Sequence, residues 1–455
     1  MKPWLPAICL FLLGAGAAPS LAADGATVTG RVKLSAIHAL HQESADEDPS
    51  LNARMVFDAT NPALRLYGWL EAQWDGTIRG NGRGEPGFES LAAVYQDNTP
   101  SLLFRELYVE RHLAASDWRV GIQRFAWGRL DEFPVNDLFN PWDYRQFIVK
   151  PMEERKLGVP AISANLYGSD LNWQLVWAPW HVPYRLGAPD QRWSLLPGAK
   201  LFPGSADGEV VAREPELPAK TLANGAYGLR LQQSGEIDWG VNLFHGFDPR
   251  PIFRTTELRI VETAEGRRID PGFVPAFHKI TTLGTDGAAI IGDWALRGEA
   301  AYTAGRVFNI RPELWGYPQT LTPGTTPLPP VELTRDSLDY GVAGDYRPFE
   351  DALLTLQAQQ TAIIHRPATL YDRDFETLLW ANLRVGWLNQ RLETAVNLAF
   401  NPEHGATMLR ASVTYELSDF YKAGVTALLL DGPPPSIFGR YGMNDQIIFE
   451  LVYSW

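Results

Sequence analysis

Apolar residues fall on every second position along most of this chain, the period of a strand with one apolar face. From Val28 to Ala36, Val28, Gly30, Val32, Leu34 and Ala36 alternate with Thr29, Arg31, Lys33 and Ser35, so both charges share one face. Residues 63–75 set Leu64, Leu66, Leu70, Ala72 and Trp74 against Arg65, Tyr67, Trp69, Glu71 and Gln73. Residues 237–244, 392–400 and 406–416 repeat the pattern. In the final DQIIFELVYSW, Ile447, Phe449, Leu451, Tyr453 and Trp455 alternate with Ile448, Glu450, Val452 and Ser454. Such segments predict about eighteen strands. They lie near 27–38, 51–58, 63–75, 103–113, 118–127, 161–167, 171–178, 225–233, 237–245, 277–291, 294–304, 336–346, 352–362, 376–387, 392–400, 406–416, 420–430 and 446–455. Without the short segment 51–58 and its partner, about sixteen would remain.

The connections fall into two kinds. Short polar turns stand at Ala115-Ser116-Asp117, Gly168-Ser169-Asp170, Ser234-Gly235-Glu236, Gly292-Asp293, 347–351, Asn389-Gln390 and Ser418-Asp419. Long Pro- and Gly-rich stretches occupy 76–101, 128–160, 179–223, 246–276, 305–335, 363–375 and 431–444, with a short one at 401–405. The two kinds alternate along the chain, which is the asymmetry of an antiparallel barrel crossing a membrane. An even strand number brings both chain ends to the side of the short turns. Tryptophans support this reading. Trp118, Trp173, Trp239 and Trp294 each closely follow a short turn, Trp387 precedes one and Trp455 ends the last strand. Indoles at one height predict an interfacial girdle.

Composition narrows the class further. Lys2, the apolar run from Ile8 to Ala18 and the small residues Ser20-Leu21-Ala22 predict a signal peptide at 1–22 and a barrel over 23–455. The single cysteine, Cys9, lies inside that run, so the remainder offers no disulfide or thiolate metal site. No later stretch has 18 consecutive apolar residues, the length expected of a spanning helix. Yet aromatics make up 12% of the chain while its mean hydropathy is slightly negative, which suits strands with lipid on one face and water on the other. A net charge of −13 argues against nucleic acid as a partner. None of the eight histidines sits in a HExxH motif or beside a G-x-S-x-G elbow, so no enzyme and no cofactor are expected.

The terminal DQIIFELVYSW resembles the C-terminal strand of Gram-negative outer-membrane β-barrels, which closes the barrel and is read by the barrel-assembly machinery. In GIQRFAWGRLDEFPVNDLFNP, Gly121-x-Gln123, Trp127-Gly128 and Asn140-Pro141 resemble a stretch found in porin-like families of uncharacterised or solute-export type. The resemblance implies an outer-membrane location among lipids and a loop at 128–160 that folds into the lumen. On that reading Asp131, Glu132, Asp143, Arg145, Lys150, Glu153, Glu154, Arg155 and Lys156 would oppose charges across a constriction, where an exposed loop would merely solvate them.

The strand faces that carry charge should point inward, because an arginine at the lipid midplane costs about 2–4 kcal/mol. Arg119, Arg230, Arg297, Glu299, Arg384 and Arg410 are therefore candidate lumen residues, with Tyr67 and Trp69 as sites for a sugar or an aromatic solute. One region departs from the pattern. Arg105, Arg111 and Arg124 fall on apolar faces, and pairing about the turn would bring Arg105 and Arg124 together outside unless a bulge reverses part of a strand. Two functions fit the whole. One is a pore passing small solutes; the other is a barrel sheath or export component working with a periplasmic partner protein.

Overall fold

A computed structural model describes residues 25–41, 48–76, 87–95, 100–188, 191–195, 211–264, 266–310, 323–328, 332–370, 372–434 and 436–455. The expected signal peptide, with Cys9, lies outside them.

Eighteen antiparallel strands form the wall. They are β1 (Ala26–Ala39), β2 (Asp48–Thr60), β3 (Leu64–Asp75), β4 (Ser101–Leu113), β5 (Ser116–Gln123), β6 (Val159–Tyr167), β7 (Asn172–Ala178), β8 (Ala226–Gln233) and β9 (Ile237–Phe247). The second half comprises β10 (Lys279–Ile291), β11 (Trp294–Asn309), β12 (Glu332–Tyr346), β13 (Ala352–Ile363), β14 (Phe375–Trp387), β15 (Leu392–Asn401), β16 (Ala406–Glu416), β17 (Tyr421–Asp431) and β18 (Gln446–Ser454). Each strand pairs with its neighbour in sequence. The barrel closes where β1 meets β18, from Ala39 opposite Gln446 to Arg31 opposite Ser454. Closure leaves no edge to template foreign strands, and it lets the backbone polar groups within the lipid pair along the wall.

Alternation sets which side chains meet lipid. Leu34, Val120, Leu283 and Val342 are exposed on the outer face, a continuous apolar band that only a membrane would cover. Short turns stand at the periplasmic end and long loops at the extracellular end. The fold is an outer-membrane β-barrel. The segment 51–58 extends to a full wall strand, so the sixteen-strand alternative falls away.

The irregular arginines are resolved by a bulge. Trp69 of β3 stands opposite Glu106 while Leu70 stands opposite Phe104, so Arg105 is the extra residue on β4. The bulge turns Arg105 and Glu106 both inward. Arg105 is fully buried and donates to both oxygens of Glu71 at 3.1 Å. The strand expected over 118–127 ends at Gln123, so Arg124 leaves the wall. It lies over the indole of Trp69 at 4.4 Å, with Arg54 over the same ring at 4.9 Å. Trp69 is thereby covered by guanidinium groups and offers no face to a solute. Arg111 stays outside, one strand end from the periplasmic turn.

The expected loop 246–276 contains a hairpin. Ile252–Thr263 pairs with Gly266–Ala276, and the short strands Val211–Ala212 and Gly324–Pro327 extend it to four. Leu258, Ile260 and Ile269 are buried within it. At the extracellular end the barrel interior is itself apolar. Ile37, Trp380, Met408 and Leu428 face inward and pack with Phe147, Trp193, Phe438 and Tyr441 from loops. Loops that fold in need apolar partners there, which is why strict alternation relaxes at those strand ends.

Candidate functional site

The site is the barrel interior, and the loop between β5 and β6 organises it. The motif residues noted above build its base. Gly121 has φ +138°, and a Cβ there would stand 2.2 Å from the Leu107 carbonyl oxygen, so no other residue fits. Gln123 donates to the Ala161 carbonyl at 2.8 Å and ties the last residue of β5 to β6. Asn140 accepts from the Phe125 N–H at 2.9 Å and donates to the Phe125 carbonyl at 2.6 Å, closing the loop on itself. Gly128 has φ +92°, and a Cβ would meet the Glu299 carboxylate at 2.6 Å. Trp127 packs edge-on against Phe139 at 5.0 Å, and Phe139 against Phe244 of β9 at the same distance.

From this base the loop reaches one wall. Buried Glu299 of β11 is its receptor: one oxygen accepts the backbone N–H groups of Arg129 and Leu130, the other that of Asn136 at 3.1 Å. Arg129 also donates to Asp286 of β10 at 2.7 Å. Asp131 pairs with Arg297 at 3.0 Å, and its N–H donates to Gln357 of β13. Gln357 donates in turn to the Glu132 carbonyl at 2.7 Å.

The returning arm reaches the opposite wall. Asp143–Tyr144 runs beside Arg185–Leu186 of the β7–β8 loop, and Met152–Arg155 forms a single helical turn. Glu154 bonds Arg31 and Lys33 of β1, each at 2.7 Å. Glu153 meets Arg54 of β2 at 3.2 Å, and Lys150 reaches Gln73 of β3 at 3.4 Å. Glu132 and Arg155, at 2.5 Å, join the two arms, while Arg155 lies over Trp142 and Tyr144. β1–β3 and β9–β13 are about half a barrel apart in strand order, so this loop crosses the bore.

Burial alone would raise the Glu154 carboxyl, but Lys33 and Arg31 outweigh it and hold it at about 2. Glu89, from the β3–β4 loop, is likewise held at about 2: burial opposes, while Arg145 and Arg185 prevail. A carboxylate lowered by folding stabilises fully above its ordinary value and loses that contribution as pH falls through the folded one. We expect the loop to loosen between about pH 4.5 and 2. Rising current noise in acidified single-channel records would report it. Glu154→Gln should show the same noise at neutral pH, and equal noise in both proteins across the range would refute the clamp.

Several candidate residues do not face a passage. Asp143 and Arg145 are buried and form a two-pronged ion pair of 2.6 and 2.9 Å, with Glu89 beside Arg145 at 3.6 Å. Arg155 and Glu154 are also buried by their partners, and Lys156 is spent on Asp137 at 2.8 Å. Arg230 pairs with Asp286 at 2.7 Å, Arg297 bridges Asp131 and Asp345, and Arg119 holds Glu110 at 2.7 Å. These pairs tie loop to wall, strand to strand or one part of the loop to another, and their number explains why so many charges could sit inside a bore. The most exposed of these charges are Asp131, Glu153 and Arg384, the last only 3.8 Å from Glu393, while Glu132 and Arg119 are partly covered. Arg410 differs: it makes neither hydrogen bond nor ion pair among the described residues, and it lines a small inner space together with Glu154 and Glu450.

Sequence reasoning missed Arg129, Asn136 and the hub Glu89, which also accepts from Ser101 and Gln73 at 2.5 and 2.6 Å. They read as solvated loop residues, and no spacing marks their distant partners. Trp118, Trp173, Trp239, Trp294, Trp387 and Trp455 stand on the outer face beside the periplasmic turns or the barrel seam. Trp455 exchanges two backbone hydrogen bonds with Gly30. One group among the described residues, Glu110, His112 and Asp117, brings potential metal ligands within 4.8 Å. Arg119 and the 2.9 Å His112–Asp117 bond already use those atoms.

A family model described as a protein of unknown function (DUF1302) matches residues 71–370. No curated protein matches the sequence significantly. Among solved structures, OccAB4 of Acinetobacter baumannii aligns over 94% of this chain and 98% of its own, at 8% identity and a TM-score of 0.49. A BenF-like porin from Pseudomonas fluorescens Pf-5 aligns over 95% and 97%, at 8% identity and 0.48. The outer membrane channel DcaP of Acinetobacter baumannii aligns over 96% and 100%, at 9% identity and 0.41. Likeness at this level says nothing about solute.

Proposed function

The chain belongs to the DUF1302 family, and from that premise we propose that it is an outer-membrane channel for small solutes whose bore is set by the loop 124–158. The observation that carries this reading is the double clamp of that loop, to Glu299, Asp286 and Gln357 on one side and to Arg31 and Lys33 on the other. A loop docked so firmly narrows an eighteen-stranded lumen to small-molecule size. Selectivity then depends on the charges that water still reaches, Asp131, Glu153 and Arg384, together with Arg410, which has no ion-pair partner among the described residues. The six tryptophans anchor the barrel at the periplasmic membrane face.

A sheath around a threaded partner protein suits this interior poorly, because a loop clamped to both walls lies across the path such a partner would take. Purified protein in planar bilayers should give stepwise conductance, with a reversal potential in a salt gradient that Arg410→Ala moves toward cation preference. Silence in the bilayer, with a periplasmic protein co-purifying, would favour the sheath.

A further inference from the structure

Above the crossing loop, on its extracellular side, lies a vestibule of about 1550 Å³. That exceeds the range of ordinary small-molecule pockets, about 300–1,000 Å³. Its lining is unusual for a cup made of loops. Phe133 and Tyr144 of the β5–β6 loop, Tyr184 and Leu195 of the β7–β8 loop, Phe253 of the β9–β10 hairpin and Ile437 of the β17–β18 loop all turn toward it. Each is half-buried and packs on one side against an apolar cluster. Four separate loops thus converge rings and branched chains on one cavity, where loops ordinarily present polar groups.

Phe133 adds a second, independent sign. It sits at φ +55°, a left-handed conformation that a bulky residue adopts only when its surroundings impose it. Such strain concentrates at ligand-contacting positions. Here it holds the ring at the vestibule floor, directly after Glu132 and before Pro134.

Much of the charge around the cavity is neutralised internally. Arg250 grips Asp248 at 3.0 Å through two bonds, Arg306 meets Asp339 at 2.8 Å and Arg366 meets Asp374 at 3.3 Å. Glu376 and Glu403 keep their charge but are held by hydrogen bonds, Glu376 near His404 at 3.5 Å and Glu403 accepting from the Thr377 hydroxyl and N–H. Arg250, Arg306 and Arg366 are thus spent on carboxylates, and an anion would have to break those pairs to reach them, whereas apolar rings would bind aromatic faces at no such cost.

We propose that the vestibule is a binding site for uncharged, ring-bearing apolar solutes, which it captures from the extracellular side before they meet the crossing loop. This deepens the channel reading but can be tested apart from it. The protein in lipid nanodiscs is titrated with 2-naphthol, 2-naphthoate and maltose, with tryptophan fluorescence and calorimetry as readouts and empty nanodiscs as the partition control. Saturable binding of 2-naphthol beyond that control is expected, with 2-naphthoate weaker and maltose silent.

Phe133→Ala and Phe253→Ala should each weaken 2-naphthol about tenfold. Neither side chain belongs to a wall strand, so the wall should form in both variants, and heat-modifiable migration of the barrel serves as the folding check. Binding no greater than in empty nanodiscs, wild-type affinity in both variants, tighter binding of the anion, or competition by maltose would each overturn the proposal. A protein that binds 2-naphthol but never conducts overturns only the channel reading, and one that conducts without binding overturns only this one.

Discussion

Deletion of residues 131–156, with the ends rejoined, is expected to raise single-channel conductance severalfold and to admit larger solutes. The excised segment holds every bond to β1–β3 and those of Asp131, Glu132 and Asn136 to the far wall, so the bore beneath is left open. The wall should survive, because its strands pair with one another along their lengths and ask nothing of the loop for their backbone bonds. Liposome swelling with oligosaccharides of increasing size would measure the new cut-off. Unchanged conductance in a folded barrel would show that the segment lies beside the solute path and does not constrict it.

Replacing Glu299 with alanine is expected to release the same loop without shortening it. Three backbone N–H groups would lose their acceptor inside the barrel, at about 1–3 kcal/mol for each donor left unsatisfied. Water can enter to relieve some of this, so a loss of about 3–5 kcal/mol of docking free energy is reasonable. The visible result is a fluctuating channel, alternating between the wild-type level and one approaching that of the deletion. Glu299→Gln should be milder. Its carbonyl oxygen can keep the bonds from Arg129 and Leu130, while its amide group faces the Asn136 N–H and cannot accept from it. Quiet records for both substitutions would mean that the motif at the loop base, not the carboxylate, fixes the loop.

Glu299 also shows how differently the two levels of description inform. A charged residue on an otherwise polar strand face reads as lumen-facing, and so it is. Its role as acceptor for three amides of a loop more than 160 residues away has no trace in local sequence. Arg105 makes the same point in reverse. Its position on an apolar face marked an irregularity, and the shift between Trp69 and Leu70 across the β3–β4 pair located the cause.

What the sequence determined by itself is the wall. A two-residue period, a segregation of short turns from long loops and an aromatic-rich but polar composition constrain a chain to one kind of closed sheet, because lipid forbids unpaired backbone and rewards one apolar face. All of that is local and repeats strand after strand, so it can be read without knowing which strands are neighbours in space. What only the tertiary structure decided is the interior: which charges are spent on partners, which rings turn toward the vestibule and where the crossing loop lands. Glu154 finding Arg31, Arg129 finding Asp286 and Glu89 joining three loops depend on residues brought together by closure of the barrel. Pairing of that kind leaves no period in the chain, since its strength depends on distance and burial alone.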